Sequence, residues 1–270
     1  MIKMEIKSKK YINEGFNSKA YIINDEYILL EGVNKNSYDN YKKYSESLNK
    51  LVDVKSLQIP NIIELIAPNN EFPNGAMVYK MIKGHTFTKS YIDKVDKEQL
   101  AKKLADFMNE LYEVPVVFDK KIYVEQELNN AKINLELLRE YLDDEKYSLL
   151  LNWYNEYIEY LSEFDNYHFI HGDLWYENYI LDDNDELTGI IDFENAKYGD
   201  PASDISALCY LGNEFINLFL KYYKNSDKDI EKRINMFIKA REVMSFENMV
   251  NNFPEEINEQ IEKIKKVLLF

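Results

Sequence analysis

His171, Gly172 and Asp173, with Asn178 five residues on, form one cluster of reactive side chains, and Asp192-Phe193-Glu194 forms a second a short distance downstream. Phosphoryl transfer from a nucleotide needs an acceptor-side carboxylate to take or orient a hydroxyl proton. It also needs hard oxygen ligands for the magnesium that bridges the phosphates. Asp173 suits the first task, Asn178 and Asp192 the second. Asp173 is therefore the expected catalytic residue and Asn178 and Asp192 the expected metal ligands.

Protein kinases carry H-R-D-L-x-x-x-N followed by D-F-G. Here Gly172 replaces the arginine and Glu194 the last glycine. With those changes and the downstream Gly199-Asp200-Pro201-x-x-Asp204-Ile205, the segment Phe169 to Ile205 resembles the aminoglycoside phosphotransferase and choline kinase family, most nearly its bacterial 2''-phosphotransferases. His171-Gly172-Asp173-Leu174-Trp175-Tyr176-Glu177-Asn178 is also similar to the fructosamine kinase motif, so it fixes the reaction better than the substrate. A looser resemblance runs from Glu14 to about Phe253.

The resemblance implies an α+β, bilobal protein-kinase-like fold. Residues 1–82 would be a small β-rich lobe with one main helix, covering a nucleotide. Residues 83–270 would be a larger, mainly helical lobe carrying the catalytic loop and acceptor site. It implies ATP or GTP as donor, Mg2+ as cofactor, and a cationic small molecule, such as an aminoglycoside, amino-sugar or amino-alcohol, as partner. His171 and Asp204 would support the loop, Asp204 by accepting hydrogen bonds from the backbone around His171–Asp173. Lys80, Met81 and Ile82 map onto the crossing that meets the nucleotide base, and Asn17 and Ser18 onto a phosphate-covering loop.

On the acceptor side the resemblance points to Glu194, Trp175, Glu242 and Glu247. Arg241 to Glu247 is similar to the substrate-lining helix of the aminoglycoside kinases, with Met244 where a Trp is common. Trp175 and Tyr176 either contact substrate or pack the core. The family's third-strand lysine is missing: Leu30 stands there, or Glu31 if the register slips by one. Lys19, Lys35, Lys42 and Lys43 are candidate substitutes, and Glu46 is a candidate partner on the following helix. This loss keeps open a second reading, a non-catalytic nucleotide- or ligand-binding pseudokinase.

Local patterns supply the elements that position these residues. Ala20–Ile23 and Tyr27–Glu31 read as a hairpin turning at Asn24-Asp25-Glu26, Ser37–Val52 as a helix with Ser37 at its N-cap, and Ile62–Ala67 and Ala76–Ile82 as two further strands. After Gly84 the apolar period lengthens to that of a helix: Leu100, Leu104, Phe107, Met108 and Leu111 make one stripe, and Tyr147, Leu150, Tyr154, Tyr157 and Leu161 another. Tyr179–Leu181 and Leu187–Ile191 read as short strands, Asp200 as a cap followed by Pro201, and the remainder from Ala202 as helices.

Hydrophobic residues make up 46% of the 270, ample for a core. No run of about 18 apolar residues and no signal-peptide pattern occurs, so the expected location is the cytoplasm, with no membrane partner. One cysteine excludes a disulfide framework, and three scattered histidines make no metal site. The net charge of −15 argues against nucleic acid and suits a cationic ligand, although most such acids lie on solvated helix faces.

Overall fold

In the computed structural model, which describes residues 5–15 and 17–269, strands come first. The order is β1 (Lys9–Glu14), β2 (Ser18–Ile23), β3 (Tyr27–Gly32), α1 (Ser37–Asn49), β4 (Asn61–Ile66) and β5 (Ala76–Lys80). These strands form one antiparallel sheet in the order β1-β2-β3-β5-β4. Asn24 and Asp25 both hold positive φ at the centre of the turn that Glu26 N closes onto Ile23 O at 3.2 Å. Alternation along β3 sends Leu29 to an outer cluster with Ile23, Ile66 and Val78. Ile28 and Leu30 pack on the other face, into the core shared with Tyr41 and Tyr44 of α1.

The chain crosses at residues 81–84 and enters a mainly helical region. It comprises β6 (His85–Thr86), α2 (Lys97–Tyr112), α3 (Lys120–Leu138), α4 (Asp144–Glu163), β7 (His168–Ile170), β8 (Tyr179–Leu181), β9 (Leu187–Ile190) and β10 (Lys197–Gly199). It closes with α5 (Pro201–Ala207), α6 (Asn213–Leu220), α7 (Ile230–Met244), α8 (Phe246–Asn252) and α9 (Ile257–Leu268). The expected α+β architecture, a sheet with one main helix followed by a larger, mainly helical region, is thus observed. The expected α2 stripe is buried throughout; of the α4 stripe Leu150, Tyr157 and Leu161 are buried and Tyr147 and Tyr154 half-buried, with Trp153 buried beside them. No helix among the described residues is long and apolar enough to cross a membrane.

One expectation about α1 is corrected. Asn36, not Ser37, is the N-cap residue. The Ser37 hydroxyl instead accepts from Asn34 N at 3.2 Å and donates to Asn17 O at 2.7 Å, tying the helix start to the loop after β1. The segment between α1 and β4 returns to the other region: Gln58 N donates to Thr188 O, and Gln58 O accepts from Ile190 N, both at 2.9 Å. Gly189 permits that approach, because a Cβ there would meet Gln58 O and Ile82 Cγ2 at 2.9 Å each.

Candidate active site

The catalytic-type loop runs from the end of β7 into β8 and is fixed from below by α5. Pro201 occupies the first turn of α5, and Asp200 caps it, its side chain accepting from Ala202 N at 2.9 Å. One turn later the buried Asp204 accepts from His171 N at 2.7 Å and Gly172 N at 2.8 Å. Gly172 explains the lost arginine: its φ is +81°, and a Cβ would stand 2.2 Å from Asn195 O. His171 is buried. Its Nδ1 accepts from Asp173 N at 3.3 Å, which leaves Nε2 to donate to Ile191 O at 3.0 Å. Burial pushes this imidazole down to about 4, against the pull of the Asp173 carboxylate, so it holds the loop as a neutral ring.

Asp173 is partly open to solvent. Asn178 donates its amide nitrogen to Asp173 O at 2.8 Å and to Asp173 Oδ2 at 3.2 Å, which leaves the amide oxygen as its atom for a cation. Asp192 follows β9 in the left-handed region, φ 67° and ψ 64°, a conformation costing a non-glycine residue roughly 1–2 kcal/mol. Its backbone N–H donates to the Tyr44 hydroxyl at 3.2 Å. Burial, then the charges of Asp173 and Glu194, push the Asp192 carboxyl up to about 6. No group of three or more His, Cys, Asp or Glu at metal-holding spacing occurs among the described residues. One carboxylate and one amide oxygen are the sparse protein set that suits magnesium, which keeps waters and takes phosphate oxygens.

The other expected site residues have the following surroundings, Glu194 first. It sits in the 3-10 turn Phe193–Asn195 and reaches the first region, where Asn17 Nδ2 donates to it and Asn40 also bonds it. Glu242 is buried on α7, accepting from the Tyr210 hydroxyl at 2.7 Å and Gln260 Nε2 at 3.0 Å, so it is not an open acidic contact. Glu247 lies in α8, its backbone N–H on Asn134 Oδ1 at 2.7 Å, and no bond joins it to Asp173 among the described residues. Trp175 is half-buried beside Tyr176 and Tyr210, with ring centroids 5.4 and 6.3 Å away. Met81 has given its N–H to Glu26 O at 2.9 Å, so that amide is not offered to a base. Lys80 ends β5, exposed, and Ile82 is buried. Ser18 Oγ is shared with the Tyr41 hydroxyl at 2.7 Å, and Asn17 Oδ1 accepts from Asn34 at 3.1 Å. Phe16, within the expected phosphate-covering loop, lies outside the described residues.

Leu30 faces the core shared with α1, whereas Glu31, next along β3, is paired with Lys9. Tyr41, Tyr44 and Leu48 are the buried α1 side chains in that core, and Glu46 is exposed. Of the four candidate lysines, Lys19 pairs with Glu14 at 3.6 Å and Lys42 with Asp39 at 2.6 Å. Lys35 and Lys43 line a hollow of about 420 Å³ together with Asn17 and Asn40. The residue that sequence reasoning missed as an individual is Arg241 of α7. Its Nη2 stands 3.7 Å from Asp173 Oδ1.

A model of a phosphotransferase enzyme family matches residues 10–235. Among solved structures, the GDP and kanamycin complex of APH(2")-IIIa is similar at 22% identity, covering 98% of this chain and 94% of that one, with a TM-score of 0.85. The streptomycin-ATP-APH(2")-IIa ternary complex matches at 22% identity over 98% and 92%, with a TM-score of 0.74. The macrolide 2'-phosphotransferase MphH from Brachybacterium faecium, as apoenzyme, matches at 12% over 95% and 91%, with a TM-score of 0.68. At these identities the likeness shows a common fold.

Proposed function

The chain belongs to the phosphotransferase enzyme family, and from that premise we propose that it transfers the γ-phosphoryl group of ATP or GTP to a hydroxyl of an aminoglycoside-like molecule or another cationic amino-sugar or amino-alcohol. The observation that carries this reading is the joint placement of Asp173 and Asn178 on a loop anchored through Asp204, with Asp192, after β9, close enough for the Asp173 charge to act on it. Asp173 Oδ1 orients the acceptor hydroxyl and takes its proton. The Asn178 oxygen and Asp192 hold Mg2+, which when bound offsets charge on the phosphates. His171 and Asp204 keep the loop rigid. The division of labour at residues 82 and 83 belongs to the same proposal: the chain crosses between β5 and β6, so residues 1–82 cover the nucleotide and the rest holds the acceptor. The net charge of −15 supports a cationic partner through the long-range field, as do the kanamycin and streptomycin in the similar solved complexes.

The test is turnover of Mg-ATP and Mg-GTP with a panel of amino-sugars. Asp173→Ala should lower turnover by at least about 10²-fold while nucleotide still binds. Asp192→Asn should abolish the magnesium dependence of nucleotide binding measured by calorimetry. Full turnover in Asp173→Ala overturns the assignment of the base. A second reading, a pseudokinase, is favoured by one observation: Leu30, where the resemblance expects the family's lysine, faces a core shared with the α1 tyrosines. Nucleotide binding without turnover on any acceptor would decide for it.

A further inference from the structure

Arg241 projects from α7 to the acceptor side of Asp173. Its side chain is 20% exposed, its guanidinium lies 5.6 Å from the centre of the Tyr210 ring, and its buried Nε has no hydrogen-bond partner among the described residues. The 3.7 Å from Nη2 to Asp173 Oδ1 is too long for a direct hydrogen bond, and with the guanidinium also bonded to the Tyr210 side chain, both groups still retain capacity for a further partner. Asn178 already occupies Asp173 Oδ2. Oδ1 therefore remains for the reacting hydroxyl, and that oxygen is flanked by a guanidinium. The nearby acid, Glu242, is withdrawn into the Tyr210 and Gln260 contacts.

We propose that Arg241 determines acceptor specificity: it requires an oxygen, as hydroxyl, ether or carboxylate, on the carbon next to the phosphorylated hydroxyl and rejects an ammonium there. This rests on the phosphotransferase reading and narrows it. When the reacting hydroxyl donates to Asp173 Oδ1, its vicinal substituent comes within reach of Nη2, much as the two oxygens of a diol lie side by side. An oxygen accepts the guanidinium N–H in a charge-assisted bond. An ammonium has donors and no acceptor, repels the guanidinium in a partly dehydrated cleft, and leaves buried N–H groups unpaired. Specificity here comes from a repulsive element as much as from an attractive one. Amino groups farther along the acceptor do not meet Arg241, so an amino-sugar remains a substrate when its reacting hydroxyl is flanked by oxygen.

The test uses matched amino-sugars and amino-alcohols that differ only in carrying hydroxyl or ammonium beside the reacting position, with kcat and KM measured separately and the phosphorylated carbon located by NMR. Wild type should favour the oxygen-flanked member by about tenfold or more in kcat/KM, the scale of one charge-assisted contact. Arg241→Met should collapse that ratio, chiefly by raising KM for the oxygen-flanked member. Arg241→Lys should keep the preference at a higher KM, since it retains the charge without the fork, and it serves as the readout if the Met variant does not fold. Equal kcat/KM within pairs for wild type, or an unchanged ratio in the folded Met variant, overturns the inference. If no member is turned over, titration of the Mg-nucleotide-loaded protein with the same pairs reads the preference as Kd. A preference of about tenfold there supports Arg241 while sinking the catalytic reading; equal Kd values, or no binding of either member, overturn the role of Arg241.

Discussion

Arg233→Met should make this protein markedly easier to unfold, because of what it leaves behind. Arg233 Nε donates to Asp200 Oδ2 at 2.6 Å, and its two terminal nitrogens fork onto Asp227 at 2.8 and 2.7 Å. Asp200 is fully buried, with the Tyr160 hydroxyl at 2.9 Å and Ala202 N at 2.9 Å as further donors. Burial already pushes the Asp200 carboxyl up, and Arg233 is the foremost opposing charge. Removing that charge strands a carboxylate in the interior, a loss of about 3–5 kcal/mol against a total stability on the order of 5–15 kcal/mol. The exposed Asp227 half of the fork adds little. The double variant Arg233→Met/Asp200→Asn keeps the hydrogen bonds of the cap and deletes the stranded charge, so it should recover most of the loss. Urea denaturation followed by circular dichroism gives both values, provided the two variants share one m-value. A single-variant loss below about 1 kcal/mol, or a double variant no more stable than the single, would refute the reasoning. Because Asp200 starts the helix that carries Asp204, the single variant should also lose turnover and the double variant should regain it.

Two further outcomes are expected. Leu30→Lys places an ammonium on the core-facing side of β3, and one charge-assisted contact of roughly 1.5–3 kcal/mol should raise nucleotide affinity about tenfold or more by calorimetry; unchanged affinity in a folded variant would mean that Lys35 or Lys43 already anchors the phosphates. His171, buried and held at about 4 against an unfolded value of 6.5, titrates in the unfolded chain first, so the stability it allows is complete above pH 6.5 and is lost as pH falls toward 4, by about 3 kcal/mol. His171→Gln should flatten that limb of the pH–stability curve, and an equally steep curve would show that other groups set it.

The parts of the site that could be read from sequence are those encoded by short spacing. Five residues from Asp173 to Asn178 make a loop that closes on its own side-chain bonds, and Asp200-Pro201 writes a helix start in two letters. What escaped was tertiary. All six residues of β1 are exposed and carry no alternation to betray a strand, which exists through its ladder with β2. The nineteen residues of α3 bury only Ala131, Asn134 and Leu138, so no stripe announces the helix. Ser37 looked like a cap by residue type, yet the chain had already turned at Asn34, whose Oδ1 takes the Asn36 N–H. A glutamate on a helix face reads alike whether it meets solvent or, like Glu242, a tyrosine and a glutamine inside. Nothing local ties Arg241 to an aspartate far earlier in the chain; only the packing of α7 on α5 brings them together.

Gly189 has a mechanical consequence. The α1–β4 connection, through Gln58, and the crossing into the helical region, through Ile82, both press on its bare Cα, so the two joints between the regions bear on one point. That point is a fulcrum. The opposite end of the lever is the contact of Asn17 and Asn40 with Glu194. A single methyl at Gly189 would act as a shim: it would meet Gln58 O and Ile82 Cγ2 at 2.9 Å each, so both connections between the regions would have to give way at once.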